Sequence, residues 1–145
     1  MKTNIIYVMC GLPGSGKTTY SKQLAKRTNS KLYSFDEYSG SCNPTTSKQV
    51  KQQMYQDVYD ALVRGYDVVI DDLHTQKQWR LDTLSIVNNV LCKKVLIVST
   101  TLLEECLIRN RQRECRVLPD FVIKKLNQKY ETPTLDEGWD EIIYI

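Results

Sequence analysis

The sequence predicts an α/β fold, an open and mostly parallel five-stranded sheet with helices on both faces. Three observations predict it. Short apolar runs rich in β-branched residues alternate five times with stretches of helical spacing, the pattern of strands joined by crossover helices. The first run leads straight into a glycine cluster. Gly11, Asp36, Asp72 and Thr100 all fall just past the ends of apolar runs, at the edge where open α/β sheets bind ligands.

Taken in order, Asn4–Cys10 reads as a fully buried parallel strand. A helix follows from Lys17 to about Thr28, with Tyr20, Leu24 and Arg27 at helical spacing. Lys31–Phe35 is a short second strand, and Ser39–Thr46, rich in Gly, Ser, Asn and Pro, is a loop. Val50, Met54, Val58 and Leu62 mark one face of a longer helix that Gly65 ends. Val68–Ile70 is the third strand, closed by Asp71-Asp72, and Leu81, Leu84, Val87 and Leu91 outline a helix after Gln76. Val95–Val98 is the fourth strand. Thr101 and Glu104 have the spacing of a capping box, which starts a helix running into Arg109–Arg113. Pro119 opens a fifth helix with Val122, Ile123, Leu126 and Tyr130 as its apolar positions; Thr132–Trp139 is a loop and Glu141–Ile145 the last strand.

With 145 residues, 41% of them hydrophobic, the chain is expected to fold as one domain over 1–145. A charged fraction of 26% and a net charge of +3 indicate neither disorder nor a protein that coats nucleic acid, and they suit an anionic ligand such as a nucleotide. The five cysteines form no CxxC pair and there is one histidine, so no zinc spacing can be assembled. They read as free thiols of a reducing compartment. No run approaches the ~20 apolar residues of a membrane span, and the expected location is the cytoplasm.

Gly11-Leu12-Pro13-Gly14-Ser15-Gly16-Lys17-Thr18 satisfies G-x-x-x-x-G-K-[ST] between a predicted strand and a predicted helix. Such a P-loop turns its backbone N–H groups inward around phosphates, at angles that a Cβ obstructs, and the helix N-terminus adds partial positive charge. The expected ATP contacts are Gly14, Ser15, Gly16, Lys17, Thr18 and Thr19, with Lys17 a point charge at the β- and γ-phosphates, Thr18 a Mg²⁺ ligand and Thr19 at the α-phosphate. Switches, motors and kinases share this cradle, so the motif alone leaves the fate of the nucleotide open.

Transfer of a phosphoryl group to a hydroxyl calls for a carboxylate across from the γ-phosphate that takes the proton. Asp36, just past the second strand, is the candidate base; the plainer alternative is that it caps a turn. Asp71-Asp72 after an apolar strand has the form of a Walker-B acid, one carboxylate serving Mg²⁺ and the other facing the acceptor. Asp71, with Thr18, is the expected metal side, although spacing does not divide the two roles. Alternation sets Asp72 on the strand face of Val68 and Ile70, with Asp71 opposite. His74 reads as an ordinary polar surface residue. Arg109, Arg113 and Arg116 stand at i, i+4 and i+7, on one face if the helix continues that far. There they would meet charge on the transferring oxygens as part of a mobile lid, the alternative being a solvated basic face. Trp79 and Trp139 read equally as packing anchors and base stackers.

Together these residues give nearly the whole chain a resemblance to the P-loop kinase domain of the bacteriophage polynucleotide 5′-kinase family and its small kinase relatives. The resemblance rests on Gly11–Thr18, Phe35-Asp36-Glu37-Tyr38, Val69-Ile70-Asp71-Asp72, the R-N-x-x-R pattern within Leu107–Arg113, and Glu131-Thr132-Pro133-Thr134. It implies a P-loop NTPase/kinase fold with a parallel sheet of the adenylate-kinase type, Asp36 as general base, Arg109 and Arg113 as lid arginines near the γ-phosphate, and Asp72 near the acceptor. Ser39 stands where those kinases carry an arginine for the acceptor's 3′-phosphate, which makes it an acceptor-side position, and Leu73-His74 stands where Thr-Asn is usual.

The expected function is therefore that of an ATP- and Mg²⁺-dependent kinase, with Lys17, Asp36, Arg109 and Arg113 catalytic, that phosphorylates the 5′-hydroxyl of a polynucleotide or nucleoside. One alternative is a kinase for a sugar, antibiotic or cell-wall precursor on the same fold. The other is an ATP-dependent binding or regulatory protein, which needs neither base nor lid arginines.

Overall fold

The computed structural model describes residues 3–40 and 48–145. Strands β1 (Asn4–Cys10), β2 (Lys31–Ser34), β3 (Val68–Asp71), β4 (Cys92–Val98) and β5 (Glu141–Tyr144) form an all-parallel sheet in the order β2-β3-β1-β4-β5. The central strands carry apolar side chains toward both faces because both are covered. On one face Ile6, Val8, Val68, Ile70 and Leu96 pack with Met54, Val58 and Leu62 of helix α3 (Lys48–Val63) and Leu84 of α4 (Lys77–Ser85). On the other, Met9, Val69, Val95 and Ile97 meet Leu24 and Ala25 of α1 (Lys17–Thr28). The predicted open parallel sheet with helices on both faces is the one observed. Among the described residues no helix is long and apolar enough to cross a membrane.

Several boundaries differ from expectation. β2 stops at Ser34, because Phe35–Ser39 forms a short helix, α2, with Asp36 and Glu37 in its first turn where acidic side chains favour the helix dipole. Most of the expected Ser39–Thr46 loop lies outside the described residues. α4 ends at Ser85, and Leu91 is exposed rather than on its apolar face. The fourth strand starts at Cys92, three residues before its predicted apolar run.

The expected capping box does not form. Leu102 is the N-cap of α5 (Leu103–Arg111), and the Thr101 hydroxyl instead donates to Ser15 O at 2.8 Å, bracing the glycine loop. α5 also ends at Arg111, and Arg116 has a left-handed φ of 61°, so Arg109, Arg113 and Arg116 do not share a helical face. A further helix, α6 (Asp120–Gln128), follows Pro119 and packs Ile123 against Leu107 of α5. Cys10, Cys92 and Cys106 are free and buried, but Cys115 is disulfide-bonded, against the expectation of free thiols throughout.

A buried ion pair fixes the C-terminal segment beside the ligand-binding edge. Arg80, fully buried on α4, donates from Nε and Nη2 to the two carboxylate oxygens of Glu137 at 2.8 and 2.9 Å, and from Nη1 to His74 O at 2.9 Å. Trp139 Nε1 donates to the same carboxylate at 3.0 Å. The planar fork of arginine satisfies three acceptors at once, which is what makes burying this charge tolerable.

Candidate active site

The glycine loop is held from both neighbouring strands: Gly11 N donates to Leu73 O at 2.9 Å and Ser99 N to Cys10 O at 2.8 Å. Gly14 and Gly16 have φ of 81° and 91°. A Cβ on Gly14 would lie 2.5 Å from Cys106 O, and one on Gly16 would lie 3.0 Å from Arg109 Nη1, so glycine also lets α5 close over the loop. Ser15 Oγ is buried with no hydrogen-bond partner. Lys17 is 8% exposed, with Nζ donating to Leu12 O at 3.0 Å. Burial pulls its ammonium below the ordinary lysine range, against the charges of Asp71, Asp72 and Asp36. An orphan hydroxyl and a buried ammonium inside a cradle of left-handed glycines fit a polyphosphate chain.

The Thr18 hydroxyl donates to Asp71 Oδ2 at 2.9 Å, so the residues expected to serve the metal are adjacent. Burial raises the Asp71 pKa, while Lys17 and Thr18 pull it down. One hydroxyl and one carboxylate oxygen beside a phosphate cradle fit Mg²⁺, which keeps most of its ligands as water and phosphate oxygens.

Asp72 points to a different neighbour. It pairs with Lys51 of α3 and accepts from Leu73 N at 2.8 Å. Burial opposes ionisation there, but His74, Lys51 and the Leu73 N–H outweigh it and hold the carboxyl below its usual range. His74 itself is not a surface residue: it is 2% exposed, and burial pushes its pKa down to about 4 despite Asp72. The neutral ring therefore donates from Nδ1 to Met9 O at 3.0 Å and accepts at Nε2 from the Thr83 hydroxyl at 2.7 Å. The Tyr55 hydroxyl stands 3.1 Å from the same Thr83 oxygen.

Asp36, on α2, faces the lid. Its Oδ1 accepts from Arg116 Nη1 at 3.1 Å, and its Oδ2 lies 3.9 Å from Arg113 Nη2. Arg116 Nη2 also donates to Ser39 Oγ and Gly40 O, each at 2.6 Å. Ser39 is thus 4% exposed beneath Arg116, and the cation above that position comes from the lid. Arg109 pairs with Glu105 one turn back at 2.7 Å while leaning over Gly16.

Three cavities run in series along this edge. The central one, about 550 Å³, is lined by Lys17, Thr18, Asp36, Asp71, Arg109, Arg113 and Arg116. It shares Gly16, Thr19 and Arg109 with a cavity of about 500 Å³ beside Ser99 and Thr101. On its far side it shares Phe35, Asp72 and Leu73 with one of about 830 Å³. Of the sequence-predicted site residues, Gly14, Gly16, Lys17, Thr18, Thr19, Asp36, Asp71, Asp72, Arg109 and Arg113 line the central cavity; Ser15 lines its neighbour, and Ser39 lies outside the linings. Arg116, expected on one face of a continued α5, is reached instead through the turn after that helix, and one side chain, Lys51, was not among the expected site residues. Lys51 carries a usable signal, since Lys51, Tyr55, Val58 and Leu62 follow the spacing of the buried face of α3, where a lysine needs a partner.

A parallel sheet ordered β2-β3-β1-β4-β5, with Gly11–Thr18 leading from β1 into α1, defines a P-loop nucleotide-binding fold of the kinase type. The chain belongs to the KTI12 family, whose model, described as chromatin associated protein KTI12, matches residues 5–143. It is 27% identical over 145 residues to the L-seryl-tRNA(Sec) kinase of Methanococcus maripaludis, covering 94% of this chain and 56% of that protein, so it spans little more than half of this relative. Among solved structures, a fungal RNA kinase superposes with a TM-score of 0.76 at 19% identity over 100% of this chain and 76% of its own. Kti12 of Chaetomium thermophilum in complex with ADP-AlF3 superposes with a TM-score of 0.69 at 20% identity over 97% and 88%. At these identities the two structures establish the shared fold.

Proposed function

We propose that this chain is an ATP-dependent phosphotransferase whose acceptor is a hydroxyl on a nucleic acid or nucleoside, with the 5′-hydroxyl the first candidate. The observation that carries this reading is the Asp36 carboxylate, which shares the phosphate cavity with Lys17, Arg109 and Arg113. A protein that only held nucleotide would need no base there.

In this reading the loop N–H groups, Ser15 and Lys17 bind the phosphates, and the nucleoside of ATP extends past Thr19 and Arg109 into the cavity beside Ser99. Thr18 and Asp71 would hold Mg²⁺, which when bound neutralises charge on the β- and γ-oxygens. Arg113, only loosely paired with Asp36, turns to the phosphate oxygens, while Arg116 keeps α2 in place through Ser39 and Gly40, and the carboxylate accepts the acceptor's proton. Asp72, fixed by Lys51 and Leu73 N, orients the acceptor from the other side. The similarity to an L-seryl-tRNA(Sec) kinase supports an acceptor that is, or is carried by, a nucleic acid.

Membership of a family described as chromatin associated, together with the likeness to a Kti12 solved in complex with ADP-AlF3, supports a second reading, a nucleotide-dependent binding or regulatory protein with little transfer. γ-Labelled ATP and Mg²⁺ offered with 5′-hydroxyl RNA and DNA oligonucleotides, nucleosides, seryl-tRNA and hexoses separates the two. Label is expected in a nucleic-acid or nucleoside acceptor, with transfer to an oligonucleotide falling steeply as salt rises because displaced counterions carry much of the binding. Label in a hexose alone would move the acceptor to the small-molecule class. Tight ATP binding with no label anywhere would leave the regulatory reading.

A further inference from the structure

The cavity of about 830 Å³ beyond Asp72 is the largest of the three and is not used by any step above. Its volume lies in the upper part of the ~300–1,000 Å³ typical of ligand pockets, more than one hexose ring fills. Its wall combines three aromatic residues, Phe35, Tyr55 and Trp79, with two lysines, Lys48 and Lys51, and with polar Gln52, Asp82 and Ser85. Lys51 Nζ stands 4.5 Å from the Phe35 ring centroid and 5.6 Å from that of Tyr55 while paired to Asp72. Two rings are thus engaged in placing the ammonium at the mouth between this cavity and the phosphate cavity. Trp79, which is only half-buried, is the aromatic residue of the wall not engaged with that ammonium. Tyr55 is further anchored through Thr83 to the neutral His74, so this part of the wall is set before any ligand arrives.

From this arrangement we infer that the cavity holds the terminal nucleotide of the acceptor, its base stacked on Trp79 with Gln52, Asp82 and Ser85 at the base edge, and its 3′-phosphate at Lys51. The inference rests on the proposed phosphotransferase reading and names the part of the acceptor that is recognised. A neutral hexose would call for an aromatic platform but not for a lysine fixed at the mouth. A nucleotide calls for both, since its base offers a π-face and its phosphate an anion. The 5′-hydroxyl of a nucleotide so placed is directed toward Phe35, Asp72 and Leu73, the residues shared with the phosphate cavity, and hence toward Asp36.

The test is direct binding, without transfer. The chain has two tryptophans, and Trp139 is 4% exposed and tied to Glu137, so a ligand-dependent change in fluorescence reports on Trp79. With saturating Mg·ADP in place to occupy the ATP side, adenosine 3′-monophosphate should quench the emission saturably, whereas glucose and inorganic phosphate should not. Calorimetry should show Trp79→Ala weakening adenosine 3′-monophosphate by ~5-fold or more, the low end of base–aromatic stacking. Lys51→Gln should weaken adenosine 3′-monophosphate but not adenosine. Nucleotide binding with these sensitivities but no transfer from ATP would uphold the pocket and remove the phosphotransferase reading. Transfer to an acceptor with no saturable quench, or with affinity unchanged in Trp79→Ala, would overturn the pocket and leave the phosphotransferase reading standing.

Discussion

Arg116 shows how much one side chain outside every motif can decide. Its guanidinium gathers the Asp36 carboxylate, the Ser39 hydroxyl and the Gly40 carbonyl, and its backbone sits in a left-handed conformation that non-glycine residues seldom adopt. Arg116 therefore positions α2, and with it the proposed base. Arg116→Ala should lower kcat by ~10-fold or more while changing ATP affinity little, and Arg116→Lys should not restore it, because a single ammonium cannot span acceptors set for a planar fork. Steady-state kinetics beside calorimetric ATP binding checks this; a collapse of ATP affinity with kcat preserved would instead place Arg116 on the ATP side. Spacing could not reveal the contact. It counted Arg116 on a continued helix, whereas α5 stops at Arg111 and the chain turns back toward α2. For the same reason Ser39 reads as an acceptor contact in the sequence and is found under Arg116 in the fold.

At the scale of elements, the sheet was legible and the helix ends were not. β1, β3 and β4 each carry an apolar run buried on both faces, and that burial marks them. The ends of α2, α4 and α5 depend on what tertiary partners accept: Thr101 caps nothing because Ser15 O takes its hydroxyl, and Phe35 starts a helix where a strand end was expected. His74 is the strongest case, a lone polar residue in a short loop that becomes the joint between β1 and α4. Its charge state gives a measurable consequence. The unfolded chain takes up a proton at this residue near the ordinary histidine value of 6.5, while the folded chain does so only at about 4. The unfolded state thus binds more protons between those values, and stability contributed here is full above about 6.5 and is lost as pH falls toward 4, on the order of 3 kcal/mol in all. Urea unfolding from pH 7 to 4.5 should show this decline, and His74→Gln, less stable at pH 7, should show a shallower one. Equal slopes in the two proteins would mean that His74 is charged in the fold.

Across the whole molecule, the order of the sheet sets in series the three cavities that the proposed function assigns to donor, phosphates and acceptor. β1 at the centre delivers the glycine loop, β3 delivers Asp71 and Asp72 on one side, β2 brings α2 and Asp36 beyond it, and β4 leads into the lid arginines on the other side. The Gly11–Thr18 motif and the acids after apolar runs were readable because each is local in sequence. The large cavity beyond Asp72 was not, since Phe35, Lys51, Tyr55 and Trp79 come from three separated segments that only the fold brings together. The central claim, that Asp36 acts on an acceptor hydroxyl rather than on nucleotide binding, is tested by comparing Asp36→Asn with Lys17→Ala. Single-turnover transfer from γ-labelled ATP is measured beside calorimetric ATP affinity. Asp36→Asn should lose ~10²-fold or more in transfer, in the range of general base catalysis, and keep near-normal ATP affinity, whereas Lys17→Ala should lose transfer altogether. Transfer unchanged in Asp36→Asn, or lost only in step with ATP affinity, would contradict the account.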